Sequence, residues 1–246
     1  MTITGWKTRY REIRNEFGYN EYDDLRSAKK LNRQIDKKYP TSNIKKIISG
    51  KIIFIIGAGP SLTRSISTIK KYKNVTKIVA DGAVQALIEH NIKPDILVTD
   101  LDGDIPSIKK IGRSKIPIIV HAHGNNYEKL ELVTEFQNKI GTTQTDKFGK
   151  LENFGGFTDG DRCVFLAETY KPKKIILFGM DFGNKIGKYS KKKVIDKKTK
   201  LKKLEYGKKL LEWIARKSSS ELYTTTKPIR GFKKISMTDL EYIVNN

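Results

Sequence analysis

Apolar residues along this chain follow two different patterns. Between residues 7 and 39 they recur at helical spacing, for example at Tyr10, Ile13 and Phe17, and Gly18 divides this stretch into two helices. From residue 51 onward, short continuous runs rich in Ile and Val alternate with helical stretches. Such continuous runs are typical of strands covered on both faces, as in a parallel sheet with crossover helices. The pattern predicts an α/β fold, with one doubly wound, mostly parallel sheet, flanking helices and an N-terminal helical extension.

The same pattern places the individual elements. Apolar runs predict strands at Ile52–Ile56, Lys77–Ala80, Asp95–Thr99, Ile116–His121 and Lys174–Gly179. Helical spacing predicts helices near Leu62–Tyr72, Ala83–His90, Ile105–Ile111, Tyr127–Lys139 and Asp161–Thr169, and one more that ends near Trp213. Leu222–Thr226 could form a last, antiparallel strand. Since no repeat or linker divides the chain, we expect a helical extension over residues 1–50 and one catalytic domain over 51–246, with a lysine-rich segment from about residue 183.

The length and composition exclude several classes of protein. With 246 residues the chain can bury a sizeable core, but no apolar run approaches the roughly 18 residues that cross a bilayer. The N-terminus lacks the basic and apolar segments of a secretory signal, so we expect a cytoplasmic protein. Cys163 is the single cysteine, which excludes an intrachain disulfide and a cysteine-based zinc cluster. We expect Cys163 and Trp213 in the core.

Positive charge is concentrated in one segment of a chain whose formal net charge is +22. Residues 183–217 contain 14 Lys or Arg and three Asp or Glu. Such a segment can bind nucleic acid, form a solvated helix face, or attract polyphosphates. The excess is almost entirely lysine with few aromatic residues between, so nucleic acid is not the partner we expect, although a non-catalytic RNA-binding protein remains an alternative. Apolar positions in the N-terminal helices and after residue 217 could join copies of the chain.

Three aspartates lie within five residues at the end of the third predicted strand, at Asp100, Asp102 and Asp104. Mg²⁺ in proteins is commonly bound by one or two carboxylates together with phosphate oxygens and waters. If the strand continues, its period of two directs Asp100 and Asp102 the same way, which makes them the candidate metal ligands. Asp104 precedes Ile-Pro and suits the N-cap of the next helix.

Glycine-rich and acidic turns follow other predicted strands. Gly57-Ala-Gly-Pro-Ser61 joins the first strand to a helix, where Gly57, Gly59 and Ser61 could cradle a phosphate or simply form a tight turn. A third glycine of the dinucleotide fingerprint is absent, which argues against a nicotinamide enzyme. Asp81 ends the second strand and could hydrogen-bond a ribose, face a metal or cap a helix.

Further candidates follow the later strands. His121, His123 and Asn125 suit hydrogen bonding to phosphate or substrate, although two histidines could equally be structural. A second glycine-rich turn contains Asp159, Asp161 and Arg162; Arg binds phosphate oxygens in a bidentate manner, and Asp161 could cap the next helix. Asp181 follows the last parallel strand. Because ligands of open α/β sheets bind beyond the carboxyl ends of the strands, we expect all these residues around one crevice.

Several of these segments together resemble a known family. Ala80–Ala83, Lys93–Asp102 and Phe157–Arg162, with Gly57–Ser61 and Phe178–Phe182, resemble the archaeal 6-hydroxymethyl-7,8-dihydropterin pyrophosphokinase (MptE-like) family, which is related in fold to thiamin pyrophosphokinase. The resemblance covers about residues 50–183. Thiamin enzymes usually carry Gly-Asp-x-Asp-Ser where this chain has Thr99-Asp-Leu-Asp-Gly103, a departure that favours the pterin branch.

The resemblance implies transfer of the terminal diphosphate of ATP to the hydroxymethyl group of a reduced pterin, with release of AMP, in methanopterin-type or folate-type cofactor biosynthesis. In the thiamin relatives, metal-binding aspartates occupy positions that match Asp81, Asp100 and Asp102, and a Thr-Asp pair matches Thr158-Asp159. We therefore expect Asp100 and Asp102, helped by Asp81 or Asp159, to hold Mg²⁺. Arg162 and the His121–Asn125 segment would then neutralise phosphate charge, Asp161 or Asp181 would accept the proton, and Phe157 or Phe182 would contact the pterin. Related domains occur in flagellin-modifying glycosyltransferases, so a sugar-nucleotide transferase is the main alternative.

Overall fold

The computed structural model describes residues 2–190 and 196–246, and three helices precede its first strand. These are α1 (Trp6–Phe17), α2 (Glu21–Gln34) and α3 (Thr41–Ile48). Helix α1 ends at Gly18 because that residue adopts the left-handed conformation, with φ of 65°. The side chain of Asn20 then accepts a hydrogen bond from the Tyr22 N–H and caps α2. The predicted break at Gly18 is confirmed.

A single sheet of eight parallel strands forms the centre of the described chain. The strands are β1 (Ile52–Ile56), β2 (Thr76–Ala80), β3 (Ile96–Thr99), β4 (Ile118–Ala122), β5 (Lys139–Thr143), β6 (Lys174–Phe178), β7 (Glu221–Thr224) and β8 (Lys233–Lys234). Their spatial order is β5-β4-β3-β2-β1-β6-β7-β8. The chain therefore builds the sheet outward from β1 in one direction and then, from β6, in the other. The predicted doubly wound α/β fold is confirmed.

Helices cover both faces of this sheet and create two hydrophobic cores. The remaining helices are α4 (Leu62–Lys71), α5 (Asp81–Glu89), α6 (Ile105–Gly112), α7 (Asp159–Thr169), α8 (Lys197–Ala215) and α9 (Asp239–Asn245), with 3₁₀ helices at Gly124–Asn126 and Glu128–Glu135. Alternate residues of each strand enter opposite cores: in β1, Phe54 packs with α2, α4, α5 and α6, whereas Ile53 packs with α1, α3, α7 and α8. Cys163 and Trp213 are buried in the second core, as expected.

Two predicted elements differ from the structure in part. The predicted strand at Leu222–Thr226 is present as β7, but it is parallel, because α8 carries the chain back across the sheet before the strand begins. Within the predicted helix Tyr127–Lys139, only Glu128–Glu135 is helical, as a 3₁₀ helix, and Lys139 already begins β5. The sequence pattern does not indicate β5, because Ile140 is its one large apolar residue. No helix in the described part of the chain has both the length and the apolar character that a bilayer crossing requires.

Candidate active site

A large cavity lies where the sheet changes direction. It has a volume of about 480 Å³ and opens beyond the carboxyl ends of β1, β2, β3 and β6. Between β1 and β6 the connecting segments leave toward opposite faces, which opens a crevice at this point in doubly wound sheets. We call it the main cavity; its lining includes the predicted site residues Gly57, Gly59, Asp81, Asp100, Asp102, Asn125, Asp159 and Asp181.

Four carboxylates converge on one side of the main cavity. Asp81, Asp100, Asp102 and Asp159 each place an oxygen within 4.8 Å of an oxygen from the other three. We call this group the acidic cluster. Its members come from the ends of β2 and β3 and from the start of α7, so the parallel sheet brings together residues separated by up to 78 positions in sequence.

The loop after β3 positions two of these carboxylates. Strand β3 ends at Thr99, so Asp100 and Asp102 converge through the loop and not, as predicted, through a continuing strand. Leu101 between them is fully buried and has a φ of 66°, a conformation that is uncommon for leucine and typical of constrained functional loops. The Thr99 hydroxyl stabilises this conformation because it accepts a hydrogen bond of 2.8 Å from the Leu101 N–H.

Asp81 also supports the loop from the end of β2. Its Oδ2 accepts hydrogen bonds from the Thr99 hydroxyl at 3.1 Å and from the N–H groups of Asp102 and Gly103 at 3.3 and 3.1 Å. Asp104 caps α6, as predicted, because its carboxylate accepts a hydrogen bond from the Ser107 N–H. The sequence motif thus divides into two cluster members and one helix cap.

Burial and mutual repulsion raise the pKa values of the inner carboxylates. Burial, followed by the charges of Asp100 and Asp102, raises the pKa of Asp81 to about 7. The pKa of Asp159 is raised well above its ordinary value by burial and by the charges of Asp100 and Asp81. A bound divalent cation would relieve this repulsion, and four oxygen donors are the chemistry that Mg²⁺ requires. The donor set therefore fits the predicted metal.

The glycine turn after β1 lines the main cavity, but most of its N–H groups are used inside the protein. The N–H groups of Gly57 and Gly59 donate to the Phe178 and Gly179 carbonyls, at 2.9 and 2.7 Å. Asp181 Oδ2 accepts from both the N–H and the hydroxyl of Ser61, at 3.0 and 2.9 Å. These contacts join the turn to the segment after β6, so the structure gives Gly57, Gly59 and Ser61 a packing role beside the cavity.

The two histidines after β4 differ in their surroundings. His121 is buried, its Nδ1 lies 3.0 Å from the Thr142 hydroxyl, and burial together with nearby Arg162 lowers its pKa well below the ordinary value. It does not reach the main cavity. His123 lies closer to the chemistry, with Nε2 3.2 Å from Asp100 Oδ2, and Asn125 lines the main cavity. Of the predicted pair, the structure brings only His123 to the acidic cluster.

The start of α7 contributes Asp159 and Arg162 to the site, while Asp161 serves the helix itself. Asp161 is fully buried and accepts hydrogen bonds from the N–H groups of Phe157 and Thr158, at 2.5 and 2.9 Å, and from the Thr158 hydroxyl. It lines neither large cavity, so the capping interpretation fits it better than the catalytic one. Arg162 is 6% exposed and its Nη1 lies 3.3 Å from Asp159 Oδ1.

Three lysines of the site were not singled out from the sequence. Lys185, Lys200 and Lys203 line the same main cavity as the acidic cluster, and none forms an ion pair with another residue that the structure describes. Lys200 and Lys203 are three residues apart on α8 and therefore share a helix face. Their position gives the cavity a basic side for an anionic ligand. The clustering of lysines in the sequence indicated a basic segment, but it did not indicate which of the lysines line the cavity.

Comparison with known proteins places the chain in a family. Residues 26–187 match the family described as "6-hydroxymethylpterin diphosphokinase MptE-like". Among curated proteins, it is 42% identical over 239 residues to a 6-hydroxymethyl-7,8-dihydropterin pyrophosphokinase of Methanocaldococcus jannaschii, with 90% of this chain and 99% of that protein covered. Proteins with the same name from Pyrococcus furiosus and Methanothermobacter thermautotrophicus are 42% and 38% identical, covering 85% and 88% of this chain and 92% and 96% of theirs.

A solved structure shares the fold. The MAf glycosyltransferase of Magnetospirillum magneticum AMB-1 superposes with a TM-score of 0.62 at 15% sequence identity. The match covers 88% of this chain but 38% of the glycosyltransferase chain. At this identity the likeness concerns the fold alone.

Proposed function

The chain belongs to the MptE-like family of 6-hydroxymethylpterin diphosphokinases, which are diphosphotransferases, and we propose that it transfers diphosphate from ATP to 6-hydroxymethyl-7,8-dihydropterin and releases AMP. The acidic cluster carries this proposal, because four carboxylates in a cavity that three lysines also line suit a metal-bound triphosphate. The product would feed methanopterin-type or folate-type cofactor biosynthesis.

Asp100 and Asp102 would hold Mg²⁺, with Asp81 and Asp159 completing the oxygen set. When bound, Mg²⁺ would supply positive charge to the phosphate oxygens. Asp81 has a second task, since its Oδ2 fixes the N–H groups of Asp102 and Gly103 and so holds the loop in place. Hydrogen bonds within the protein therefore hold this loop in position before any ligand binds.

Three lysines would bind the triphosphate. Lys185, Lys200 and Lys203 line the same cavity as the acidic cluster, so their ammonium groups could pair with phosphate oxygens of a nucleotide held there. The main cavity is also lined by Met180 and Phe182, whose apolar surfaces suit the nucleoside. The +22 net charge would additionally draw ATP toward the protein.

The chemical step forms one bond and breaks one. The hydroxymethyl oxygen of the pterin bonds to the β-phosphorus, the bond from that phosphorus to the oxygen bridging it to the α-phosphorus breaks, AMP leaves, and the hydroxyl proton is released. Catalysis of this type rests mainly on positioning and electrostatic stabilisation. Arg162, fixed by its ion pair with Asp159, would place a permanent cation beside the transferred group.

The deciding experiment is nucleotide analysis after incubation with ATP, Mg²⁺ and 6-hydroxymethyl-7,8-dihydropterin, with thiamin and no acceptor as parallel reactions. We expect AMP in proportion to pterin diphosphate, and no acceptor-dependent AMP with thiamin. ADP formation would show a simple kinase and contradict the proposal. Turnover of a CMP-sugar or UDP-sugar without pterin-dependent AMP would instead favour the glycosyltransferase alternative.

A further inference from the structure

A second, smaller cavity lies on the other side of Asp100. Its volume is about 190 Å³, and the turn between α1 and α2 forms one wall while the residues after β4 form another. It shares Asp100, Asn125, Phe157 and Lys203 with the main cavity. We call it the side cavity. The acidic cluster therefore has one cavity that suits a nucleotide and an adjoining cavity that is less than half as large.

We propose that the side cavity binds the pterin ring and that Asp23 recognises its 2-amino-4-oxo edge. This inference rests on the proposed diphosphokinase function and adds the acceptor site to it. It makes the N-terminal helices part of the active site, because Asp23 lies in the first turn of α2. With the ring in the side cavity, its hydroxymethyl group would point past Asp100 toward the main cavity and the β-phosphate.

Two polar side chains of the side cavity match this edge. Asp23 is an exposed residue that lines the cavity, and its carboxylate forms no hydrogen bond or ion pair with any of residues 2–190 or 196–246. The ring N3–H and 2-amino group of a pterin are adjacent donors, which a carboxylate accepts as a bidentate pair. Arg162, 94% buried, also lines the cavity, and its Nε has no acceptor among the described residues. The 4-oxo group of a pterin is such an acceptor.

Aromatic side chains give the side cavity flat apolar surfaces. The rings of Tyr19 and Phe157 both line it, with centroids 6.3 Å apart. The Lys203 ammonium lies 5.4 Å from the Tyr19 ring centroid and 5.9 Å from that of Phe157, which orders both rings. A flat heterocycle gains contact area against such rings. Of the two phenylalanines suggested by the sequence, Phe157 lines both cavities, whereas Phe182 lines the main cavity but not the side cavity.

The neighbouring Asp24 explains why Asp23 is held in position. Asp24 is buried and accepts hydrogen bonds from the Tyr10 hydroxyl at 2.6 Å, from Gln144 Nε2 at 2.7 Å and from the Gly124 N–H at 2.8 Å. These three donors come from α1, the end of β5 and the loop after β4. Helix α2 is thereby fixed to the sheet, and Asp23 faces the cavity from a rigid element, as specific recognition requires.

The test measures pterin binding without turnover. Fluorescence titration with 6-hydroxymethylpterin should show at least about a tenfold higher Kd for Asp23→Asn, because asparagine turns an NH₂ donor toward the donor edge of the ring. Affinity for an ATP analogue with a methylene group between the α- and β-phosphorus atoms should stay within about twofold. Glu21→Gln is the matched control; it removes the same charge from the same turn of α2 but lies outside both cavities.

A second ligand makes the test reciprocal. In 6-hydroxymethyllumazine an oxygen replaces the 2-amino group, so that the edge offers one donor and one acceptor, which asparagine matches and aspartate does not. The inference predicts that the preference for pterin over lumazine falls by at least about tenfold in Asp23→Asn. Unchanged pterin affinity and preference in this variant would overturn the side-cavity assignment while leaving the diphosphokinase function intact. Absence of pterin binding by the unsubstituted protein would overturn both.

Discussion

The loops after β1 and β3 both end a buried parallel strand at the same edge of the sheet, yet they use their polar groups in opposite ways. In the glycine turn, Gly57–Ser61, backbone donors are satisfied by the segment after β6. In the acidic loop after Thr99, the carboxylates of Asp100 and Asp102 meet those of Asp81 and Asp159 across less than 4.8 Å. The glycine turn pairs its polar groups within the protein, whereas the acidic loop takes part in a group of four carboxylates.

This difference shows what a glycine motif can and cannot indicate. A Cβ atom on Gly59 would lie 2.2 Å from Asp181 Oδ2 and 2.6 Å from the Gly179 carbonyl oxygen, so glycine is required there by protein packing. If the turn bound a phosphate, glycine would be required there to make room for the ligand instead. In the acidic loop, the feature that indicates a function is a group of carboxylates that repel one another. Such an arrangement lowers stability unless a cation binds. The two loops should therefore respond to substitution in different assays.

The largest effect is expected from the acidic loop. Asp100→Asn and Asp102→Asn should each lower kcat for AMP release by roughly a hundredfold or more, because each removes a charge that would hold the metal at the reacting phosphates. Steady-state kinetics would be paired with thermal unfolding, which should show an intact fold. Asp104→Asn is the matched control from the same motif, since asparagine caps a helix as well as aspartate does. Near-normal kcat in either cluster variant would rule out the metal assignment.

A second effect concerns stability, pH and Mg²⁺. The folded-state pKa of Asp81 is raised to about 7, above its ordinary value of 3.8, so its contribution to stability is present below about pH 4 and is lost as the pH rises toward 7. Mg²⁺ should therefore raise the unfolding temperature more at pH 7.5 than at pH 5.5. At a hundred times its Kd the ion would contribute about 2.7 kcal/mol. Calorimetry with EDTA or with Mg²⁺ at both pH values measures the rise in unfolding temperature that Mg²⁺ causes. An equal rise at pH 5.5 and pH 7.5 would contradict the prediction. The Asp81→Asn variant should show a smaller difference between the two pH values.

The smallest effect is expected from the glycine turn, and on stability rather than turnover. Gly59→Ala should lower the free energy of unfolding by about 1–3 kcal/mol, because the new methyl group overlaps Asp181 and the Gly179 carbonyl. At Gly183 the nearest atom to an added Cβ is the flexible end of Lys227, so Gly183→Ala is the control and should change little. Urea unfolding compares the two. A loss of ATP affinity in Gly59→Ala without loss of stability would restore the phosphate-cradle interpretation.

Much of the fold could be predicted because local sequence and tertiary environment agree. Strands β1 to β4 and β6 each contain a continuous run of at least three apolar residues, and their burial in the sheet matches that pattern. Strand β5 could not be found this way, since Lys139 and two threonines flank its single isoleucine and glycine. Its place at the edge of the sheet is set by pairing with β4, which is not visible in the local sequence.

The residues of the candidate site could likewise be predicted only in part. Residues at strand ends, such as Asp81 and Asp100, could be predicted to converge because parallel strands end at one edge. His121 and Asp161 have equally suggestive sequence positions, but burial and hydrogen bonding turn them into structural groups. The distant residues Asp23 and Lys203 reach the site through helix packing, and their distance along the chain from the strand-end motifs left no local signal.

The three hydrogen bonds accepted by Asp24 have a consequence for protein engineering. A fragment trimmed to begin at residue 51 would keep the sheet and all four carboxylates of the acidic cluster, yet it would lack Asp24 and the wall of the side cavity. It would also expose Phe165 and Trp213 where α1 now covers them with Trp6 and the guanidinium group of Arg9. For domain exchange between relatives, the exchangeable unit is therefore the sheet together with the helices that precede it.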